Sequence, residues 1–359
     1  MFSNYIVDYN RALREFNNLD EFSKNKIKFL EEKKYADTTK QNYWSLFNNN
    51  VHDLEVMYDK DLAMFNEMEA LSIIKTKMTT DLSTIASLKS LINGYEEWAL
   101  ETGLNPTYNP CSNWETREIA IINEEKIKKN YISIDDLFAL WDKTKDRAKI
   151  ITVHEFAIVL LARLGLKGSK YKELRYLKMQ DIDLDNYIIN VTDRDKDNLE
   201  DVKVVKKINI DKRILDVLIQ ANKQEYMRKK AYHKISEEEF IDTEYILKST
   251  KGKVIDLMAI RKGIIDFFAE VDREYIPAKD LFRNAEIDTL IKIKRTKKWN
   301  KLEMQDFVDV TEEYELKKSY NIALKLKDLY IKITGDDDII HGRYIYDEKG
   351  NRIILTDGK

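Results

Sequence analysis

Gly168-Ser-Lys-Tyr-Lys-Glu-Leu-Arg-Tyr-Leu-Lys-Met-Gln-Asp-Ile-Asp183 joins two kinds of sequence. Before it, residues 150–166 are nearly all apolar, which predicts a central buried helix with no face left for water. After it, Tyr187 to Val191 and Lys203 to Ile210 are β-rich runs flanking the polar loop Asp193 to Asp201, the pattern of a hairpin. The segment itself predicts a short helix over 169–178. Buried helix, short helix and hairpin in succession make a mixed unit.

The same unit extends in both directions. Ser133-Ile-Asp-Asp-Leu137 opens a helix with an N-cap. Past the hairpin, helices are predicted at 211–230, 255–271, 278–294, 301–309 and 312–333, with a short strand at Glu244 to Ser249. Beyond Gly335, Tyr and Ile alternate with polar residues, as in a small terminal hairpin or a docking segment. Upstream, the chain reads as a helical bundle: helices over 4–17 and Ser23 to Lys34, and one capped by Asp37-Thr38-Thr39 with Tyr43, Trp44 and Phe47 on one face. Short helices follow at Asp61 to Met68 and Leu71 to Lys77. The long helix Thr80 to Thr102 carries an apolar stripe of Leu82, Ile85, Leu88, Leu91, Ile92, Tyr95 and Trp98. Pro106 and Pro110 come just after Gly103; glycine ends a helix and proline prevents its resumption. The division is therefore 1–104 helical bundle, 105–131 linker, 132–335 mixed domain and 336–359 tail. The fold class is mainly α with a small β-sheet.

Composition removes several classes of function. The single cysteine, Cys111, excludes a disulfide framework and a cysteine-based zinc site. His52, His154, His233 and His341 are scattered without H-E-x-x-H spacing, and the ten glycines form neither G-x-G-x-x-G nor a Walker loop. No metal and no cofactor are expected. No apolar run approaches the roughly 20 residues of a membrane span, and the first residues lack the shape of a signal peptide. The expected location is the cytoplasm of a bacterial host.

A net charge of -3 argues at first against a nucleic-acid partner, but phosphate binding depends on local patches. Lys292 to Lys301 holds six basic residues and no acid, Leu161 to Lys178 six and one, Lys223 to Lys234 five and one. Solvated helix faces account for any one run; three in one half of the chain point to a surface for a polyanion. Residues 20–104 run the other way, with 10 Lys against 15 acids.

This order of elements, over residues 20–333, resembles the tyrosine recombinase (phage integrase) family. The family writes G-L-R-x-S-E-L-x-x-L-x-W-x-D-I-D where this chain has residues 168–183, and Glu173, Leu174, Leu177, Lys178, Asp181, Ile182 and Asp183 fall in place without a gap. Asp280-Leu-Phe-Arg283 stands where the family has H-x-x-R, and Met304 to Val310 where it has I-Q-x-x-L-G-H. Tyr320 lies near the position of the family's nucleophilic tyrosine, with Tyr314 and Tyr330 as rival assignments. The resemblance implies a helical core-binding domain and a catalytic domain with a three-stranded sheet, closing as a clamp on double-stranded DNA.

The departures bear on chemistry. Where the resemblance puts the first phosphate-holding arginine, the chain has Lys170, which neutralises a phosphate without the bidentate fork. Asp280 replaces a histidine and brings a repelling carboxylate. Asp309-Val310 replaces Gly-His, so a donor is lost at Val310. Arg283 survives. The hairpin lysine is Lys196 or Lys203; a shifted alignment makes Arg163 or Arg175 the first arginine. Catalysis of phosphoryl transfer depends on preorganised positive charge, so strand cleavage is expected to be lost and no catalytic residue is assigned. What remains is DNA binding. Expected phosphate contacts are Lys167, Lys170, Lys172, Lys196 and Arg283 near the altered site, and Lys40, Lys75, Lys77 and Lys89 in the bundle, with Gln41 and Tyr43 as base readers. The altered positions resemble those of lysogeny repressors of SPβ-like temperate phages, so the expected function is a sequence-specific phage repressor. The alternatives are an active recombinase cutting through Tyr320 and a helical protein-interaction scaffold. Active relatives exchange a C-terminal segment between subunits; residues 336–359 either do the same, giving self-association on DNA, or fold back. A phage regulatory partner is a further expectation.

Overall fold

The computed structural model describes residues 8–76, 82–105, 107–200, 202–231, 234–316, 318–340, 343–346 and 352–355. The chain divides into two compact units, residues 1–126 and 127–359. It is mainly helical with small sheets, as the sequence led us to expect. Among the described residues no helix is long and apolar enough to cross a membrane.

The first unit is built from α1 (Tyr9–Arg14), α2 (Glu21–Glu32), α3 (Asp37–Asn50), α4 (His52–Tyr58), α5 (Glu67–Thr76), α6 (Leu82–Glu101) and the single turn α7 (Thr116–Ile119). The stripe read on α6 is its buried face: Ile85, Leu88, Leu91, Ile92, Tyr95 and Trp98 are all in the core, while Leu82 at the helix start is exposed. Phe29 of α2 sits at the centre, its ring edge-on to Phe47, Tyr95 and Trp98 at 5.4–6.1 Å, the arrangement that ring quadrupoles favour. Two expectations change. The cap proposed at Asp37-Thr38-Thr39 is absent, because α3 already starts at Asp37 and its N-cap, Ala36, makes no side-chain bond. Asp61 to Met68 is not one helix, since only its last two residues are α-helical, as the start of α5. The Asp61 carboxylate accepts from the Ala63 N–H and holds a 3-10 turn, Leu62–Met64, after which Phe65 is extended. That carboxylate also takes the Tyr95 hydroxyl at 2.9 Å and the Lys26 ammonium at 3.3 Å, so it is tied to the core instead of facing water. Cys111 and Trp114 are buried with this core, so the start of the segment read as a linker packs here.

In the second unit, past α8 (Glu124–Lys129), the Ser133 cap opens α9 (Ile134–Thr144) as a capping box with Asp136. Next comes α10 (Val153–Arg163), in which every residue from His154 to Arg163 is buried. The single-turn α11 (Lys172–Arg175) leads to a three-stranded antiparallel sheet, β1 (Ile182–Asp183), β2 (Ile188–Thr192) and β3 (Val204–Asn209), in the order β1-β2-β3. Ile189 faces Ile208 across the hairpin, both against the core. Then α12 (Lys212–Lys223) ends earlier than expected. Residues 226–231 form β4 (Tyr226–Ala231), antiparallel to β5 (Lys234–Glu239). Arg228 stands opposite Glu237, and the Lys229 ammonium meets the Glu238 carboxylate, so basic and acidic segments satisfy each other only as paired strands. Glu244 to Ser249 is not a strand; it makes only isolated bridges, Lys178 to Tyr245 and Ile241 to Ser249. The remaining elements are α13 (Leu257–Glu270), α14 (Ala278–Thr296), β6 (Leu302–Glu303), α15 (Met304–Glu315), α16 (Tyr320–Thr334), β7 (Ile339–Ile340), β8 (Arg343–Tyr346) and β9 (Arg352–Leu355). The break between the last two long helices falls at Leu316, in the left-handed region at φ 52°, later than the sequence suggests. β7 pairs with β6 in parallel and β8 with β9 antiparallel, so the tail begins by folding back on its own unit.

Candidate nucleic-acid interface

The segment Gly168 to Asp183 anchors the second unit. Leu174, Leu177 and Ile182 enter the core. Asp181 receives the buried Arg194 guanidinium in two bonds, 2.7 and 3.1 Å, and the Lys178 N–H at 2.8 Å. Gly168, Lys170 and Tyr171 all have left-handed φ, 63°, 52° and 56°. A Cβ at Gly168 would stand 2.7 Å from the Lys172 side chain, so the turn requires glycine.

This turn and the C-terminal end of α15 meet around a cavity of about 290 Å3 lined by Lys167, Lys172, Glu173, Tyr314 and Glu315 among others. Of these, Glu173 belongs to a buried ion pair. The Lys206 ammonium lies 3.1 Å from Glu173, with both side chains 1% exposed, and donates to the Gly165 carbonyl at 2.8 Å. It also sits 5.0 Å from the centre of the Tyr314 ring. The other Glu173 contact is the Lys167 N–H at 2.8 Å, and Oε1 of the same carboxylate has no hydrogen-bond partner among the described residues. Lys167 pairs through its ammonium with Glu315. Burial, and after it the charge of Glu315, push Glu286 up to about 7 against the opposing pull of Arg283, Lys167 and Lys206, so these charges share one field.

The residues singled out in the sequence fall into three groups. Lys167, Lys172 and the exposed Lys170 lie on the turn, and half-buried Arg283 comes from α14. Lys172 reaches the Asp193 carbonyl at 3.2 Å and the Asp195 carboxylate at 3.7 Å. Lys170 and Arg283 have no ion-pair partner within 4.0 Å among the described residues. Lys196 is exposed on the hairpin loop, 3.6 Å from Asp197, and Lys203 is exposed just before β3. A second group is spent internally. Asp280 accepts from the Asn130 amide at 2.6 Å, and Val310 is fully buried beside Phe307 and Leu326. Arg163 is 1% exposed and donates to the Ile132 carbonyl and to Asp288 at 2.6 Å each. Arg175 donates to the Ile255 carbonyl at 2.7 Å. The third group lies in the first unit. Lys40 pairs with Glu31 at 2.7 Å, Gln41 accepts from the Tyr9 N–H at 2.9 Å, and Tyr43 is edge-on to Tyr35 at 5.2 Å. Lys75 is exposed and Lys89 half-buried; Lys77 lies outside the described residues.

The tyrosines separate clearly. Tyr320 is the first residue of α16 and is 42% exposed. Tyr330 is buried and donates to Asp336 at 2.7 Å. Tyr314 shares a hydrogen bond with Thr289 at 2.9 Å, and burial pushes its hydroxyl up to about 12.

Lys206, Glu286 and Glu315 escaped the sequence reading. For Lys206 the signal was present: strand alternation puts it on the same face as buried Ile208, an inward-pointing charge that needs a partner. The basic runs are also less bare than they read. Lys294, Lys297 and Lys301 pair with Asp336, Asp306 and Asp338 at 2.5–2.8 Å, and Lys178 with Glu244 at 2.7 Å.

Comparison with known proteins bears on the two units separately. Residues 147–335 match the family described as MrpR, C-terminal catalytic domain, and residues 22–101 that described as MrpR, N-terminal core-binding domain. No curated protein matches the chain. Among solved structures, it is similar to a lambda integrase dimer bound to a COC' core site, at 13% identity over 95% of this chain and 85% of that one, with a TM-score of 0.48. The Tn1549 transposon integrase in complex with circular intermediate DNA is similar at 12% identity over 89% and 93%, TM-score 0.42. XerA recombinase is similar at 11% identity over 88% and 94%, TM-score 0.35. With both domain descriptions matched in order and one of them covering more than half of its length, this chain belongs to the MrpR family.

Proposed function

We propose that this chain is a sequence-specific DNA-binding repressor, of the kind that maintains lysogeny in a temperate phage, built on a recombinase fold that no longer cuts DNA. The observation that carries the proposal is the charge balance around the cavity at the Gly168 turn. Lys206 is held by Glu173 and Lys167 by Glu315. A phosphoryl transition state is stabilised by positive charge that is preorganised and unspent. Here Arg283 and Lys170 remain for that task, and Glu173, Glu286 and Glu315 oppose it. Where the resemblance to tyrosine recombinases puts an imidazole donor, the chain has Val310, inside a hydrophobic cluster. Two cations without carboxylate partners suffice to hold a backbone phosphate in place, which is what occupying an operator requires. The core-binding description of the first unit supports a DNA partner.

The rival reading is strand cleavage through Tyr320, favoured by the exposure of that residue at the start of α16. One experiment separates the two. The full chain is incubated with nicked duplexes carrying its bound site, recovered by DNA pull-down from the phage genome, and run on a denaturing gel. The repressor reading expects a shifted band on native gels and no covalent adduct on denaturing gels. An adduct that disappears in Tyr320→Phe would overturn it.

A further inference from the structure

A second cavity, of about 410 Å3, lies in the second unit between the start of α10, hairpin β4–β5 and the first turns of α13. It shares no lining residue with the cavity at the Gly168 turn. Its walls are apolar, with Ile158, Phe240, Ile255 and Met258 among them. At this volume it falls in the range of about 300–1,000 Å3 typical of small-molecule sites. His154 lines it, is only 2% exposed and lies tilted against Phe240 at 4.6 Å between ring centres. Neither ring nitrogen of His154 has a hydrogen-bond partner among the described residues. The nearest carboxylate, Glu155, is 3.8 Å away, and its other oxygen is spent on the Thr152 N–H and hydroxyl at 2.8 and 2.6 Å. A buried imidazole left without partners is costly unless something else meets it.

The rim is cationic. Lys248 and Lys262 are paired with Asp242 and Asp266. Lys251 and Lys253, on the exposed loop before α13, have no ion-pair partner among the described residues. The carboxylate Asp256 is turned to its own helix, capping the Met258 N–H at 2.8 Å.

We propose that this cavity binds a small amphipathic organic anion. Its apolar body lies between α10 and α13, a neutral hydrogen-bonding group meets His154, and the anionic head lies at Lys251 and Lys253. The head belongs at the rim because Glu155 would repel it beside His154. The site is independent of the DNA-binding proposal.

Two fluorescent probes of similar shape test it on the full chain. One is 1-anilinonaphthalene-8-sulfonate, an anion; the other is N-phenyl-1-naphthylamine, which is neutral. The expected result is saturable binding of one sulfonate probe per chain, about tenfold tighter than the neutral probe, as one charge-assisted contact predicts. Lys251→Glu with Lys253→Glu should remove that preference, and Ala259→Trp, which fills the cavity from α13, should abolish binding. Both changes lie at exposed positions, and unchanged circular dichroism confirms the fold. Equal affinity for the two probes, or sulfonate binding unaffected by Ala259→Trp, would overturn the proposal.

Discussion

Replacing Lys206 by methionine distinguishes a structural lock from a phosphate ligand. Lys206 and Glu173 are each 1% exposed and 3.1 Å apart. Methionine keeps most of the volume and removes the charge, so Glu173 stays buried with a single N–H donor, that of Lys167. The Gly165 carbonyl also loses its 2.8 Å donor. Stranding one member of a buried pair costs about 3–5 kcal/mol. For a unit of this size, each kcal/mol lowers the melting temperature by about 2–4 °C, giving a loss of roughly 6–20 °C. The double variant Lys206→Met with Glu173→Leu removes both charges and should recover most of that loss, because a desolvated pair contributes little net stability. Thermal and urea unfolding of the three proteins provide the measurement. A single variant within about 1 kcal/mol of the parent would refute the argument. The ammonium would then be free to move, and the charge balance on which the non-cutting proposal rests would fail.

Other consequences are open to measurement. Lys170→Glu combined with Arg283→Glu should weaken binding to every DNA sequence alike and flatten the slope of log affinity against log salt by about 2, as two phosphate contacts require; an unchanged slope would remove both residues from the interface. Burial pushes the Glu96 carboxyl up to about 8, from an ordinary 4.5. The folded chain therefore binds a proton that the unfolded chain has released. Stability of the first unit should be greatest below pH 4.5 with respect to this group and fall through pH 8, by up to about 1.4 kcal/mol per pH unit. Glu96→Gln should flatten that dependence in urea unfolding, and a slope that persists would assign it elsewhere. Gly165→Ala should destabilise by at least about 1–3 kcal/mol, since φ is +85° and the new Cβ would stand 2.5 Å from the Tyr314 ring; melting at the parent temperature would show that Tyr314 yields.

Local order was legible along the chain wherever one element carries its own pattern. The apolar run of α10, the Ser133 cap, the stripe of α6 and the β2–β3 hairpin each depend on residues within a few positions of one another, and periodicity records such neighbours. The motif around Gly168 to Asp183 was legible for the same reason, and with it the family. Failures came where the partner lies elsewhere. Residues 226–231 continue a helical pattern on paper, yet β5 offers its acids opposite their bases and draws them into a strand. Lys206 and Glu173 are 33 residues apart, and Tyr314 reaches Gly165 from far down the chain. Side-chain type and spacing thus settled which elements form and in what order. Which charges remain free to meet a ligand was settled only on folding, because an ion pair in a low-dielectric interior depends on distance in space, to which distance along the chain is no guide.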